Sequence, residues 1–169
     1  MATIRDARPG DAADVADVHV RSWQAAYRGL LPDDYLDGLD PQDRMARYTF
    51  GATDPGAPGT VVAVLDGLIR GFATTGASRD ADTSGVGELL ALYVAPEAWG
   101  TGVGRLLMAE ARTRLSRRGF TEAVLWVLVG NERAERFYRI DGWLPEGRRR
   151  HEEVWGVSVD EVRFRRPLP

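Results

Sequence analysis

The sequence predicts a single domain of the α/β class. Its length of 169 residues suits one domain. Helical and strand-like patterns alternate along the chain, and a glycine-rich turn joins a buried strand to a helix near its middle. We therefore expect one domain over residues 1–169, built from strands with helices between them.

The first part of the chain predicts a strand followed by helices. Asp11 follows a Pro-Gly turn and is expected to cap a helix that continues to about Tyr27 at helical apolar spacing. Residues 29–32 break this helix, and a second helical region is expected over 33–48. The flanking segments are a strand over 4–8 and a Pro- and Gly-rich loop over 53–59.

The remaining elements are mostly strands. Asp66-Gly67 stands between two β-type runs, 60–65 and 68–75, which predicts a hairpin. The polar segment 79–85 is expected to be mobile. Then follow a buried strand over 86–94, a helix over 102–118, a strand over 122–129, a short helix over 131–141, and strands over 143–153 and 157–166.

Three glycines at alternate positions, Gly100, Gly102 and Gly104, lie between the buried strand and the long helix. Without a Cβ they let the backbone approach an anion, and the amides at the helix start point to the same place. A mononucleotide P-loop would need a lysine after Gly104, and a dinucleotide fingerprint would need glycine at Arg105 or Leu107. The loop therefore predicts a phosphorylated ligand of another kind.

Residues 99–104 resemble the pyrophosphate loop of the GNAT acetyltransferases, Gln/Arg-x-x-Gly-x-Gly/Ala, with Trp99 in the first place. A second block, residues 131–143, is similar to the family segment Asn-x-x-Ala-x-x-Phe-Tyr-x-x-x-Gly-Phe, with Trp143 as its last aromatic. The order of elements also matches. The resemblance covers essentially the whole domain, is strongest over 88–142, and implies a mixed sheet of about six to seven strands with about four helices.

This resemblance implies acetyl-CoA as co-substrate and no metal. Backbone amides over 100–105 would hold the pyrophosphate whatever side chain stands at position 99, and strand residues 92–94 would pair with pantetheine like an added strand. Asn131 and Ala134 would line the pantetheine. The expected acetyl-CoA contacts are Leu92, Tyr93, Val94, Gly100, Thr101, Gly102, Val103, Gly104, Arg105, Asn131, Ala134, Phe137 and Tyr138.

Two side chains are expected to carry the chemistry. The resemblance makes Tyr138 the general acid for the departing CoA thiolate; the alternative is an aromatic packed on the sheet. Glu88 shares the strand parity of Leu92 and matches the glutamate of histone-type members. A half-buried carboxylate there would have a raised pKa and could accept the amine proton; a solvated glutamate is the alternative.

Three aromatic residues, Trp23, Tyr27 and Tyr35, are candidates for the acceptor wall, because segment 19–32 resembles bacterial family members where acceptors enter. Core packing is the alternative for Trp23. His19 and His151 are too far apart, and too unaccompanied, to predict a metal site.

Composition narrows the function further. The chain has no cysteine, which excludes disulfides, thiolate–zinc sites and a cysteine nucleophile. Residues 1–99 carry 8 arginines and 15 acids, and residues 100–169 carry 14 arginines and 10 acids. This asymmetry suits a cationic substrate and a polyanionic cofactor, while the net acidic balance disfavours nucleic acid. No apolar run suits a membrane span or a signal peptide, so we expect a cytoplasmic protein.

We therefore expect an N-acetyltransferase that moves an acetyl group from acetyl-CoA directly to a primary amine of a small molecule or peptide. Polyamines, aminoglycosides, amino acids, peptide N-termini and lysine side chains all stay open as acceptors. The alternatives are a catalytically weak acyl-CoA-binding sensor or interaction module, and an enzyme of the same fold with another acyl donor or an aminoacyl acceptor. A homodimer through the C-terminal strands is expected by family analogy.

Overall fold

The computed structural model describes residues 1–51 and 54–169. Within them, seven strands form one sheet and five α-helices flank it. The strands are β1 (Thr3–Asp6), β2 (Gly59–Leu65), β3 (Leu68–Ala77), β4 (Gly87–Val94), β5 (Glu122–Leu128), β6 (Leu144–Val154) and β7 (Val157–Pro167). The helices are α1 (Ala12–Ala26), α2 (Asp33–Asp37), α3 (Pro41–Met45), α4 (Val103–Arg117) and α5 (Glu132–Ile140).

The sheet is mixed, as expected, in the order β1-β2-β3-β4-β5-β7-β6. Neighbouring strands are antiparallel except β4 and β5, which run parallel and pair only at Gly87 with Ala123 and at Glu88 with Val124. Beyond these two pairs the strands diverge. The resulting opening, bounded by residues 89–94 of β4 and 125–128 of β5, is called the β4–β5 gap below.

Helices cover both faces of the sheet. Side chains of successive strand residues alternate between the two faces, so both faces carry apolar side chains that need to be buried. Val62 and Phe72 are fully buried with Val15 and Val18 of α1 on one face. On the other face, apolar side chains of α4 pack against neighbouring strand residues. The buried members of that second core include Val61, Ala63, Ala73, Leu89, Val103, Leu107, Met108, Ala111 and Leu115.

The structure differs from the sequence prediction in the region before β2. The helical region expected over 33–48 is two five-residue helices, because Gly38 ends α2 and Pro41 begins α3. Asp11 is the N-cap residue of α1, as expected, but its side chain makes no capping hydrogen bond to the helix. Its carboxylate instead accepts hydrogen bonds from the Arg8 backbone N–H at 2.7 Å and from the Arg5 guanidinium at 2.7 and 3.0 Å. Thr53, at the start of the expected loop, lies outside the described residues.

The other predicted elements are confirmed with bounds that shift by a residue or two. Segment 79–85, expected to be mobile, is tied to β7 by ion pairs from Asp80 and Asp82 to Arg163. In the part of the chain that the structure describes, no helix combines the length and apolar character needed to cross a membrane.

Gly71 tests the packing of α4 on the sheet. A Cβ at this residue of β3 would lie 2.8 Å from Leu107 Cδ1, 3.0 Å from the Tyr93 carbonyl oxygen and 3.2 Å from Val103 Cγ1. We expect Gly71→Ala to lower the free energy of unfolding by about 1–3 kcal/mol, the usual cost of overpacking. Urea denaturation measures this, with Gly59→Ala as control because no heavy atom lies within 4 Å of its added Cβ. Equal midpoints for the two variants would contradict the packing described here.

Candidate active site

A groove with a cavity volume of about 1410 Å³ runs through the β4–β5 gap. It is lined by residues from α1, β4, β5, α4, α5 and the β6–β7 hairpin. Glu88, the glycine loop and Tyr138, which lie far apart in sequence, all reach it. The sequence blocks that resemble the family therefore meet along one continuous surface.

The β4 edge that faces the gap carries backbone groups without a strand partner. The Ala95 N–H donates to the Arg70 carbonyl at 2.8 Å, on the β3 side. Because alternate residues of a strand point their N–H and C=O to opposite edges, those of Leu92 and Val94 point toward the gap. No strand in the described parts of the chain pairs with β4 there beyond Glu88. This edge can therefore accept an extended, amide-containing ligand as an additional strand.

The glycine loop ends at the N-terminus of α4. Gly100 and Gly102 have φ values of +76° and +92°, a left-handed conformation that costs residues with a Cβ energy. Gly104 lies inside α4, where an added Cβ would be 3.4 Å from the Phe137 ring of α5. The loop and the start of a 15-residue helix thus aim backbone N–H groups and a positive dipole end into the groove.

Trp99 connects the loop to the β4 edge. Its indole N–H donates to the Val94 carbonyl at 2.9 Å, and the Arg133 guanidinium lies 3.6 Å from the centroid of its ring. Trp99, which stands where the family has Gln or Arg, therefore makes its polar contacts with other residues of this chain. The Leu92 N–H and C=O and the Val94 N–H stay available at the gap.

The groove is basic at the end near α4 and α5. Arg105, Arg112 and Arg133 all line it. Arginine guanidinium groups bind phosphate oxygens through paired donors. This end of the groove therefore suits a polyanion, in agreement with the basic second half of the sequence.

Tyr138 lies where α5 meets the gap. The groove also contains Tyr27, directly after α1, and Tyr93 of β4. Burial raises the pKa of Tyr138, and the neighbouring Tyr93 raises it further. Burial likewise raises the pKa of Tyr27, with added contributions from Tyr93 and Tyr138. Tyr138 is therefore protonated at neutral pH and can act as a proton donor.

Glu88 is more deeply buried than expected, with only 3% of its surface exposed. Burial raises the pKa of its carboxyl group, and a hydrogen bond from the Arg79 backbone N–H to Oε1 at 3.2 Å acts in the opposite direction. The Arg79 guanidinium is 3.8 Å away and mostly exposed, so its ion pair with Glu88 contributes little. A carboxylate held in this way suits proton acceptance.

Arg163 fixes the segment that carries Arg79. Its buried guanidinium donates to Asp82 at 2.8 Å, to Asp80 at 3.1 Å and to Glu146 at 2.8 Å. The Trp126 indole N–H donates to the same Asp80 carboxylate at 2.9 Å. These contacts hold the β3–β4 connection against β5 and β7, so the N–H that reaches Glu88 has a defined position.

The three predicted acceptor residues differ in placement. Trp23 is buried but lines the groove, and so does Tyr27. Tyr35 does not line it. Its hydroxyl donates to the Trp155 carbonyl at 2.6 Å and accepts from Arg44 Nη2 at 3.2 Å.

Most of the predicted acetyl-CoA contacts line the groove, but Thr101 and Val103 do not. Val103 is buried at the start of α4, and the Thr101 hydroxyl donates to the Ala98 carbonyl, so neither side chain lines the groove. The groove-lining members of the predicted set are Leu92, Tyr93, Val94, Gly100, Gly102, Gly104, Arg105, Asn131, Ala134, Phe137 and Tyr138.

Sequence reasoning missed an aromatic cluster around His19. The His19 ring stacks on Tyr93 with centroids 5.1 Å apart, contacts Trp155 edge-on at 5.2 Å, and hydrogen-bonds to the Tyr48 hydroxyl through Nδ1 at 2.6 Å. Its Nε2 is buried and has no partner among the described residues. Burial lowers the pKa of His19 to about 3, so it is neutral. The spacing of His19 and Trp23, four residues apart on α1, was the available signal.

Comparison with known proteins agrees with this architecture. A sequence model of the acetyltransferase (GNAT) family matches residues 19–143. The chain is 33% identical over 132 residues to the uncharacterized N-acetyltransferase YuaI of Bacillus subtilis, which covers 78% of this chain and 74% of that protein.

Two solved structures share the fold. The PaiA N-acetyltransferase from Thermoplasma acidophilum, in complex with coenzyme A, superposes with a TM-score of 0.72 at 20% identity over 96% of this chain and 98% of that chain. YncA from Salmonella typhimurium, solved with its cofactor acetyl-CoA, gives a TM-score of 0.71 at 22% identity over 99% and 94%. The predicted fold class is confirmed. The family match confirms the predicted family and enzyme class as well: the chain belongs to the acetyltransferase (GNAT) family.

Proposed function

We propose that this chain transfers an acetyl group from acetyl-CoA directly to a primary amine of a small molecule or peptide. One observation carries the proposal: a single groove contains an unpaired strand edge, a glycine loop at a helix N-terminus, and a partly buried tyrosine. The strand edge suits the pantetheine amides, the glycine loop suits a pyrophosphate, and the tyrosine suits a thiolate leaving group. PaiA and YncA, which share the fold, were solved with coenzyme A and acetyl-CoA.

Acetyl-CoA would supply an activated acetyl thioester. Leu92 and Val94 would hydrogen-bond to the pantetheine amides at the gap, and the amides over 100–105 would hold the pyrophosphate. Asn131 uses its side-chain oxygen to accept from the Ala134 N–H at 3.3 Å, which fixes the start of α5 beside the groove. Arg105 and Arg133 would neutralise the phosphates, whereas Arg112 already pairs with Asp141 at 3.0 Å.

The transfer step needs two proton movements. As the amine nitrogen attacks the thioester carbon, the new C–N bond forms, the C–S bond breaks, and the electron pair of that bond leaves with sulfur. Glu88, directly or through water, would accept the proton that the amine loses. Tyr138 would donate its hydroxyl proton to the departing sulfur. Most of the remaining acceleration would come from holding the two reactants together.

The absence of cysteine means that no thiol can hold the acetyl group in transit, which favours direct transfer. An acyl-CoA-binding sensor would not need a buried carboxylate and a partly buried tyrosine in the same groove. The test is free-CoA release from acetyl-CoA in the presence of a panel of amines, with a no-amine blank. Amine-dependent release supports the proposal, and binding of acetyl-CoA without release by any amine contradicts it.

Tyr138→Phe tests the proton donor, because it removes only a hydroxyl group. We expect turnover to fall by about 10²-fold, the usual order for the loss of an acid–base group. Acetyl-CoA affinity, measured by calorimetry, should stay within about twofold of the parent, since no binding role depends on the hydroxyl. Unchanged turnover would assign the proton to another donor, and Tyr138 would then be a packing residue.

Glu88→Gln tests the proton acceptor through pH dependence. The parent rate should rise with pH as the Glu88 carboxyl loses its proton, at a pH above the usual glutamate range because burial raises its pKa. In the variant the rate should be lowest at acidic and neutral pH and recover as the amine loses its own proton. Glu110→Gln, on α4 and away from the groove, is the matched control. A Glu88→Gln profile that overlays the parent would exclude Glu88 as the base.

A further inference from the structure

Arg44, in the last turn of α3, is a buried cation without an anionic partner. Only 5% of its surface is exposed. In the described residues no carboxylate forms an ion pair with it, and its Nε is buried without a hydrogen-bond partner. Within the described ranges, the one hydrogen bond of its guanidinium is from Nη2 to the Tyr35 hydroxyl at 3.2 Å. A buried, uncompensated charge is costly, so the site favours an anion.

Aromatic rings hold this guanidinium in place. It lies 4.2 Å from the centroid of the Trp155 ring and 5.9 Å from that of Trp23. The Arg47 guanidinium lies 5.0 Å from the same Trp155 ring. Cation–π contacts orient both groups without using their N–H donors, of which Arg44 Nη2 already donates to Tyr35. Two arginines are therefore positioned around one tryptophan.

Trp155 reaches this position through an unusual backbone conformation. It lies at the tip of the β6–β7 hairpin with a φ of 53°, a left-handed conformation that bulky residues rarely adopt. Such a conformation is kept where surrounding contacts enforce it. Here the Tyr35 hydroxyl donates to the Trp155 carbonyl at 2.6 Å. The hairpin tip is thus fixed over α3.

These residues surround a cavity of about 430 Å³, lined by Asp43, Arg44, Ala46, Arg47, Trp155 and Gly156. Arg47 and Trp155 also line the large groove, so the cavity lies beside it. Asp43 is exposed and forms no ion pair with either arginine within the described ranges. The positive charge of Arg44 also acts on His19, which lines the groove. Burial is the main cause of the lowered pKa of His19, and the repulsion from Arg44 is the second cause.

We propose that this cavity binds the carboxylate of the acceptor, and hence that the acceptor is a small molecule with both an amine and a carboxylate. The proposal rests on the N-acetyltransferase function proposed above. Arg44 and Arg47 would bind the carboxylate through paired N–H donors. Trp23, Tyr27 and Trp155 would enclose the carbon chain, with the amine directed to Tyr138 and Glu88.

Other charges of the groove agree with such an acceptor. Glu152, Glu153 and Glu161 line the groove, and Glu161 already pairs with Arg150 at 2.9 Å. Exposed carboxylates at the groove attract the ammonium form of the amine. A diamine would satisfy these carboxylates but would place its second cation beside Arg44, which like-charge repulsion opposes.

Matched acceptor pairs test the proposal, because each differs only in a carboxylate. The pairs are L-lysine with cadaverine and L-phenylalanine with phenethylamine, which sample two separations between amine and carboxylate. We expect at least one carboxylate-bearing member to show kcat/KM about tenfold or more above its partner. Tenfold corresponds to about 1.4 kcal/mol, a modest value for a buried charged contact.

Arg44→Gln should abolish this preference while the affinity for CoA stays the same, and Arg44→Lys should restore part of it. Arg47→Gln provides a second variant at the same cavity in case Arg44→Gln does not fold, and should reduce the preference in its own right. Arg117→Gln, an exposed arginine at the end of α4, is the control and should retain the full preference. Circular dichroism melting establishes that each variant is folded.

Calorimetric titration of the CoA-loaded protein with the same four probes separates this proposal from the proposed function. Carboxylate-dependent binding that Arg44→Gln or Arg47→Gln removes, without turnover of any amine, would support the anion site and contradict the acetyltransferase role. Turnover or binding that is equal for both members of each pair, or a preference that survives in the folded cavity variants, would overturn the anion site and leave acetyl transfer intact. If no probe is turned over and no probe binds, the anion site is overturned as well.

Discussion

The divergence of two parallel strands is the constraint on which the rest of this structure depends. β4 and β5 share only two residue pairs before they separate. In a continuous sheet the backbone N–H and C=O groups of Leu92 and Val94 would hydrogen-bond to β5. Because the ladder stops at Glu88, these groups face a groove instead. The glycine loop, α5 and α1 all reach that groove, so the groups proposed to bind acetyl-CoA and to move protons lie together at the gap.

Specific side chains hold the gap in shape. At one end the Trp99 indole bonds to the Val94 carbonyl and Arg133 lies over its ring. At the other end Arg163 binds Asp80, Asp82 and Glu146, and thereby ties the β3–β4 connection to β7. Arg163 is buried, and removing one partner of such a network usually costs several kcal/mol. The proposed role of Glu88 as proton acceptor thus depends on an arginine that lies on a different strand.

Local patterns were sufficient to predict the elements that carry local signals. The glycine spacing predicted the start of α4 because Gly100 and Gly102 require positive φ. The short helix that begins near Asn131 and the Asp66-Gly67 hairpin were likewise predicted from nearby residues. Gly38 and Pro41 indicate two helices over 33–48, because glycine ends and proline begins helices. The prediction of one helical region followed the helical propensity of the other residues instead. Segment 79–85 looked mobile because its anchor, Arg163, is about 80 residues away in sequence.

Much of the proposed acceptor-binding region could not be predicted, because it is formed by contacts between segments that are distant in sequence. Tyr35 was expected on the groove wall but instead supports the Trp155 carbonyl. The burial of Glu88 and the contact of His19 with Trp155 depend on how strands and hairpins fold over one another. The net charge of the first half suggested a cationic substrate, whereas the buried Arg44 adds a positive site within that same acidic half. Charge totals do not reveal which charges are left unpaired.

The claim that the β4–β5 gap and the glycine loop bind acetyl-CoA is tested most directly by amide hydrogen exchange with and without saturating CoA. The account predicts slower exchange for the amides of Leu92 and Val94 and for the loop over 100–105, while β2 (Gly59–Leu65) exchanges at the same rate in both states. Calorimetry on the same sample establishes that CoA is bound. Bound CoA with unchanged exchange at these amides, or with protection confined to other segments, would contradict the account.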